Sequence, residues 1–271
     1  MTRKPFEDLT LADDFMFCKV MEHESLCRPF LEMLFSVKIE KITYLSSQNT
    51  VSADLGAKTI RLDVLVKDRS GTSYDIEMQV GNEYNIPKRM RYYQAVLDVA
   101  FLDKGYSYKA LNNSVIIFVC LFDPIGNNRA IYTFENICRE NKSILLQDGT
   151  KKVILNAKAF NETDNQELQG FLQYVKTGKV TTEYTGRIEQ MIQMVKHNEL
   201  ARKEYHILPA ILMDAMDEGL ERGKSLGLAE GEARGSRQKA LETAKLMLQR
   251  NYPQTEICLM TGLSKEEVAS L

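Results

Sequence analysis

Alternation of apolar and polar positions is sharpest in two runs, Ile60-Arg61-Leu62-Asp63-Val64-Leu65-Val66 and Tyr74-Asp75-Ile76-Glu77-Met78-Gln79-Val80. Both repeat with period two and are rich in β-branched residues. Asp68-Arg69-Ser70-Gly71 between them is turn chemistry, so the pair predicts a β-hairpin. Centring the hairpin on Ser70 opposes Ile60, Leu62, Val64 and Val66 to Val80, Met78, Ile76 and Tyr74, one continuous apolar face. The other face sets Asp63 opposite Glu77 and Arg61 opposite Gln79. Any half-exposed hairpin has a polar outer face, and solvated carboxylates are the plain reading of it. Directly opposed residues, however, have Cβ atoms roughly 4.5–5.5 Å apart, and like charges there are destabilising. A divalent cation between the two acids is the reading that explains the pairing.

Elsewhere the pattern predicts a mixed α/β chain. Asp13-Asp14 precede a helical spacing of Phe17, Val20 and Met21, with a break near Ser25, then Leu31, Leu34 and Phe35. Lys41 to Ser46 reads as a strand ahead of the hairpin. Pro87 opens the next helix, with Met90, Tyr93, Leu97 and Ala100 as its apolar stripe and Lys104-Gly105 as its expected C-terminal cap. Arg89 and Tyr93, four apart, share a face of it. Ser114 to Phe122 is almost continuously apolar, as in a strand buried on both faces, and Ala130 to Phe134 and Lys152 to Ala157 are further strands. Residues 166–217 read as helices, and 218–271 as a separate tail.

Composition narrows the functional classes. At 271 residues the chain has ample length for a core, and its formal net charge of −2 announces no global basic field for nucleic acid. The N-terminal segment lacks the apolar stretch of a signal peptide, and no run approaches the roughly 18 apolar residues needed to span a bilayer. Cys18, Cys27, Cys120, Cys138 and Cys258 contain no C-x-x-C pair and read as core thiols of a reducing, cytoplasmic compartment. His23, His197 and His206 are scattered and make no zinc or HNH constellation.

The order Asp63, turn, Glu77-x-Gln79, then a basic and aromatic helix resembles the PD-(D/E)XK nuclease superfamily. More closely it is similar to its recombination-promoting nuclease and transposase (Rpn-like) family. The likeness extends from Leu11-Ala12-Asp13-Asp14-Phe15-Met16-Phe17 through Arg89-Met90-Arg91-Tyr92-Tyr93, Gly105-x-x-Tyr108 and the strand Ser114 to Phe122. The resemblance implies a restriction-endonuclease-like mixed sheet (αβββαβ) over residues 1–165, with a helical C-terminal extension. It further implies Mg²⁺, with Mn²⁺ as the alternative ion, held by Asp63 and Glu77, and DNA as substrate. The residue two after the glutamate positions the attacking water; the superfamily usually has Lys there, and this chain has Gln79. A neutral amide orients water only by hydrogen bonds, so either Arg61, a candidate substrate contact with Arg89 and Tyr93, supplies some of the missing charge or Gln79 marks a weakened site. Asp14 is either a helix cap or an auxiliary metal contact. Arg89 and Tyr93 either hold a DNA phosphate or Glu77, or pack with the cation solvated.

In the tail Gly219, Gly223, Gly227, Gly231 and Gly235 recur every fourth residue. Each glycine costs about 0.8–1 kcal/mol in a helix interior, roughly 4–5 kcal/mol for the five. The stripe reads as a self-association helix or as a flexible linker. Beyond it, Ser264 and Glu267 form a capping-box pattern in a helix-turn-helix-like fragment, either a structural cap or a DNA reader. The expected function is a metal-dependent DNA endonuclease linked by resemblance to recombination or defence against mobile DNA. The alternatives are a decayed nuclease fold that binds DNA or protein as an oligomer, a strand-rejoining transposase, and an oligomeric interaction protein.

Overall fold

A computed structural model describes residues 4–47, 50–51, 60–102 and 104–271; side chains at 46, 47, 50, 51 and 61 and through much of 208–233 lie outside this description. Two compact units divide the chain, Met1–Tyr205 and His206–Leu271. Among the described residues no helix is long and apolar enough to cross a membrane.

The first unit begins with helices α1 (Asp14–Met21) and α2 (Glu24–Phe35). Asp13 occupies the N-cap position, but its carboxylate turns back to accept from Thr10 N at 2.7 Å and Lys4 Nζ at 2.6 Å instead of capping α1. Strands β1 (Ile42–Ser47), β2 (Thr50–Val51), β3 (Ile60–Arg61), β4 (Val64–Asp68) and β5 (Ser73–Gln79) follow. Helix α3 (Ile86–Phe101) then crosses to β6 (Ser114–Cys120), β7 (Ile131–Phe134) and β8 (Thr150–Asn156). The sheet order is β1-β4-β5-β6-β8-β7, antiparallel at both ends and parallel where β5, β6 and β8 meet. This is the mixed, restriction-endonuclease-like α/β core that the element order predicts, with β2 and β3 as a separate two-stranded ribbon. Helix α3 ends at Phe101, three residues short of Lys104, because the chain turns extended at Leu102.

Helices cover both faces of the sheet. One face presents Val64, Val66, Tyr74, Ile76, Met78, Val115, Ile117 and Val119 to α1, α2 and the helices α4 (Gln166–Thr177) and α5 (Glu183–Lys196). The opposite face buries Leu65, Ile116, Phe118 and Ile154 beneath Ile86, Met90, Tyr93, Val96 and Leu97 of α3. Burying each large apolar side chain stabilises by roughly 1.5–3 kcal/mol, so the α3 stripe commits that helix to the face that also carries the acids. The polar outer face expected of the hairpin is therefore interior: Asp75 is 0% and Glu77 3% exposed.

Gly170 of α4 lies against the N-terminal cap of α5. A Cβ there would collide with the Thr182 methyl and lie 3.1 Å from Thr181 Oγ1. Thr182 cannot turn aside freely, because its hydroxyl accepts from Thr185 N in the capping box of α5. Gly170→Ala is therefore expected to lower stability by about 1–3 kcal/mol through overpacking, although alanine is the better helix former by about 1 kcal/mol. Thermal denaturation checks this; an unchanged or raised midpoint would show that the two helices do not approach so closely.

Helix α6 (Glu199–Gln249) runs on from the first unit, where Ala201 and Tyr205 join the core. Its backbone is helical through all five tail glycines, so the linker alternative is not the conformation adopted. At Gly223, Gly231 and Gly235 an added Cβ would meet nothing within 4 Å. In the second unit Ala244 and Met247 of α6 pack with Ile257 of α7 (Gln254–Thr261) and Val268 of α8 (Lys265–Ala269). The Ser264–Glu267 capping box forms as its spacing predicts.

Candidate active site

The β4–β5 ladder follows the expected register, pairing Val64 with Ile76 and Lys67 with Ser73, and it stops there. At Leu62-Asp63 the chain bends out of the sheet, and Arg61 pairs with Thr50 of β2 rather than with Gln79. The bend also breaks the period of two. Ile60 and Leu62 join the core under α3, on the opposite side of the sheet from Val64 and Val66, so the continuous apolar face is not formed. The Arg61 side chain lies outside the described residues.

Where backbone pairing ends, the two acids take it over. Asp63 N donates to Glu77 Oε1 at 2.9 Å, and Met78 N donates to Asp63 Oδ2 at 3.0 Å. Each carboxylate is thus fixed by the main chain of the neighbouring strand, and charge-assisted bonds of this kind are roughly twice as strong as neutral ones. Helix α1 supports the bend from the other side, with Cys18 Sγ 3.5 Å from the Asp63 carbonyl. Asp14, the first residue of α1, lies one turn before Cys18 on the same face.

Arg89 of α3 closes the site. Its Nη1 donates to Gln79 Oε1 at 2.6 Å and its Nη2 to the Tyr93 hydroxyl at 3.0 Å, while Nη2 lies 3.6 Å from Glu77 Oε2. The guanidinium also sits 5.4 Å from the Tyr93 ring centroid and 5.1 Å from that of Phe118. Gln79 in turn donates from Nε2 to the Gly81 carbonyl at 2.7 Å. A cationic donor on one side and a carbonyl on the other leave the amide a single orientation. Arg89, Tyr93, Gln79 and Glu77 therefore converge as one cluster. Arg61 does not join it through the expected backbone pairing.

Asp75 belongs to the same face and was not among the expected site residues. Its signal was present in the sequence, since positions two apart on a strand share a face. Its carboxyl meets that of Glu77 in a side-chain hydrogen bond and no other donor among the described residues, and Ser73 Oγ and Gln94 Oε1 along the same seam are unpartnered among them. Burial, then the nearby Asp63 charge, pushes the Asp75 carboxyl well above the usual aspartate range. Burial, then Asp75 and Asp63, does the same to Glu77, against the opposing pull of the Asp63 N–H and Arg89. Among the described residues no three His, Cys, Asp or Glu side chains are arranged as a preformed metal cage.

These shifts set a pH dependence. With folded values above the ordinary 3.8 of Asp and 4.5 of Glu, the folded protein binds more protons than the unfolded chain between those values and the raised ones. Stability in EDTA is therefore expected to fall as pH rises through that window. Thermal midpoints measured upward from pH 4.5 check this, and Asp75→Asn should flatten the slope. A midpoint that rises steadily with pH would show instead that the two acids are ionised at no cost.

The fold agrees with a family comparison. The family model described as PD-(D/E)XK nuclease family transposase matches residues 12–206, well over half of the chain, and leaves the glycine-bearing length of α6 and the last two helices outside it. No curated protein and no solved structure matches. With the match covering residues 12–206 and the mixed sheet in place, the chain belongs to the PD-(D/E)XK nuclease family transposases.

Proposed function

We propose that the protein is a divalent-metal-dependent DNA endonuclease in which Asp63 and Glu77 hold the cation, Mg²⁺ or Mn²⁺, with Asp14 as an auxiliary carboxylate. The observation that carries this reading is the fixing of both carboxylates by backbone N–H groups, Glu77 by that of Asp63 and Asp63 by that of Met78, beside the buried Asp75. Such crowding is costly for a purely structural pair and is relieved by a cation. The donor set fits: hard carboxylate oxygens suit Mg²⁺, which takes one or two protein carboxylates and keeps water and phosphate oxygens for the rest of its shell, so no preformed cage is required. When bound, the cation supplies Lewis acidity to a scissile phosphate and lowers the pKa of its water.

The remaining roles belong to side chains already in contact. Gln79 is fixed between Arg89 and Gly81, so it transmits the position of Arg89 as much as it orients a water. In this reading Arg89 places at the Gln79 position the positive charge that a lysine carries elsewhere in the superfamily, and Tyr93 holds the guanidinium in place. Both also remain candidate phosphate contacts. A reducing, cytoplasmic setting suits the five cysteines, none of them in a disulfide and three of them buried. Self-association through α6 rests on the glycine spacing and is read by light scattering of the full chain against a chain ending before Gly219.

Plasmid nicking in Mg²⁺, Mn²⁺ or EDTA, with Asp63→Ala and Glu77→Ala purified alongside, tests the reading. Metal-dependent nicks lost in both folded variants support it. Equal activity in all three preparations, or none in the folded wild type across substrates, overturns it. Joined products instead of nicks would favour the strand-transfer chemistry that the family's transposase description admits.

A further inference from the structure

Asp75 stands apart from the other two acids of the pocket. Asp63 accepts a backbone N–H from Met78, and Glu77 accepts one from Asp63. Asp75, fully interior at 0% exposure, has no backbone N–H donor among the described residues, and its side-chain hydrogen bond is to the Glu77 carboxyl, acid to acid. Its ladder partners are Leu65 on one side and Ile116 on the other, which offer it no side-chain hydrogen bond. Glu77, two residues on, shares its face of β5, and the charges of Asp63 and Arg89 reach it. A buried carboxylate kept for packing is normally given donors, because the ionised group is expensive to strip of water unless paired. The unpartnered atoms of Ser73 and Gln94 are neutral and need only a water. Asp75 is different, since it brings charge and its hydrogen-bond partner, Glu77, is itself an acid.

Resting on the divalent-cation reading of the site, we propose that Asp75 is a further cation-binding carboxylate, acting with Glu77. Two buried carboxyl groups in contact on one strand face offer hard-oxygen ligation of the kind Mg²⁺ and Mn²⁺ take, the ion replacing the proton they share. The backbone bonds on Asp63 and Glu77 then fix the geometry of the site, and Asp75 brings its carboxylate to the ion. This distinguishes Asp75 from a positioning residue, which would act only by orienting Glu77.

The test is Mn²⁺ binding to the full chain without DNA, by isothermal titration calorimetry, for wild type, Asp75→Asn and Glu77→Gln. The amide keeps the size of the side chain and removes its charge. Asp75→Asn is expected to weaken Mn²⁺ binding by about tenfold or more, with a thermal midpoint in EDTA at or above that of wild type. If Asp75→Asn does not fold, Asp75→Ser, smaller and neutral, is read by the same titration. Wild-type affinity in the folded Asp75 variant, alongside lost binding in Glu77→Gln, overturns the proposal and leaves the cation reading standing. No Mn²⁺ binding by the folded wild type overturns both.

Discussion

Glu77→Gln is expected to cut metal-dependent DNA nicking by about 10³-fold or more while the protein stays folded. The amide oxygen can still accept from Asp63 N, which bonds Glu77 Oε1 at 2.9 Å, so the link between β4 and β5 is kept. What disappears is one charge toward the cation. Stabilisation of that kind is worth several kcal/mol at the transition state, and each 1.4 kcal/mol is a factor of about ten in rate. The stability effect has the opposite sign. Glu77 is 3% exposed and its carboxyl is pushed upward by burial, Asp75 and Asp63, so a neutral side chain relieves crowding. The thermal midpoint in EDTA at pH 8 should therefore equal or exceed that of wild type. Full nicking activity in Glu77→Gln would sink the assignment of this residue to the cation. Lost activity together with a collapsed midpoint would assign Glu77 to the fold instead.

Arg89→Ala carries the second large effect, on stability and activity together. It removes the donor to Gln79 and to Tyr93 and the cation 3.6 Å from Glu77. Losing one partner of a buried pair costs about 3–5 kcal/mol; Arg89 retains 27% side-chain exposure, so about 2–3 kcal/mol is the expected loss here. For a chain of this size that lowers the midpoint by roughly 4–12 °C. Freed of Arg89, Gln79 keeps only the Gly81 carbonyl as a partner, and nicking should fall by about 10²-fold, the cost of losing one preorganised donor. Arg89→Lys is the informative control. Lysine keeps the charge but lacks the planar fork that reaches Gln79 and Tyr93 at once, so it should restore stability better than activity. Equal nicking by Arg89→Ala and wild type would reduce the guanidinium to a packing element.

Much of the fold was legible because the signals are local. The strands from Ser73 and Ser114 begin where the apolar patterns begin, and Pro87 lies in the first turn of α3. The hairpin register over Val64–Lys67 follows from the turn alone, since turn length fixes which residues oppose one another. The acids of the candidate site were legible for the same reason. Extrapolating that register two residues further failed. Arg61 belongs to another ribbon, because a bend at Asp63 costs no local rule and is held by bonds from Glu77 and Cys18, far along the chain. Arg89 and Tyr93 were recognised as sharing a face, and their partners became definite only when α3 met β5.

By itself the sequence determined the six strands of the main sheet, the turn at Ser70 and the capping of α8. Periodicity, capping and turn chemistry act over a few residues and are written in consecutive letters. Tertiary structure alone decided that α3 lies over the acid face, that Asp75 is stripped of water against Glu77 there, and that Arg89 answers Gln79 instead of solvent. Those outcomes depend on which apolar stripe wins a place on the sheet. That is a competition between segments distant in sequence, and burial energy, not local propensity, settles it.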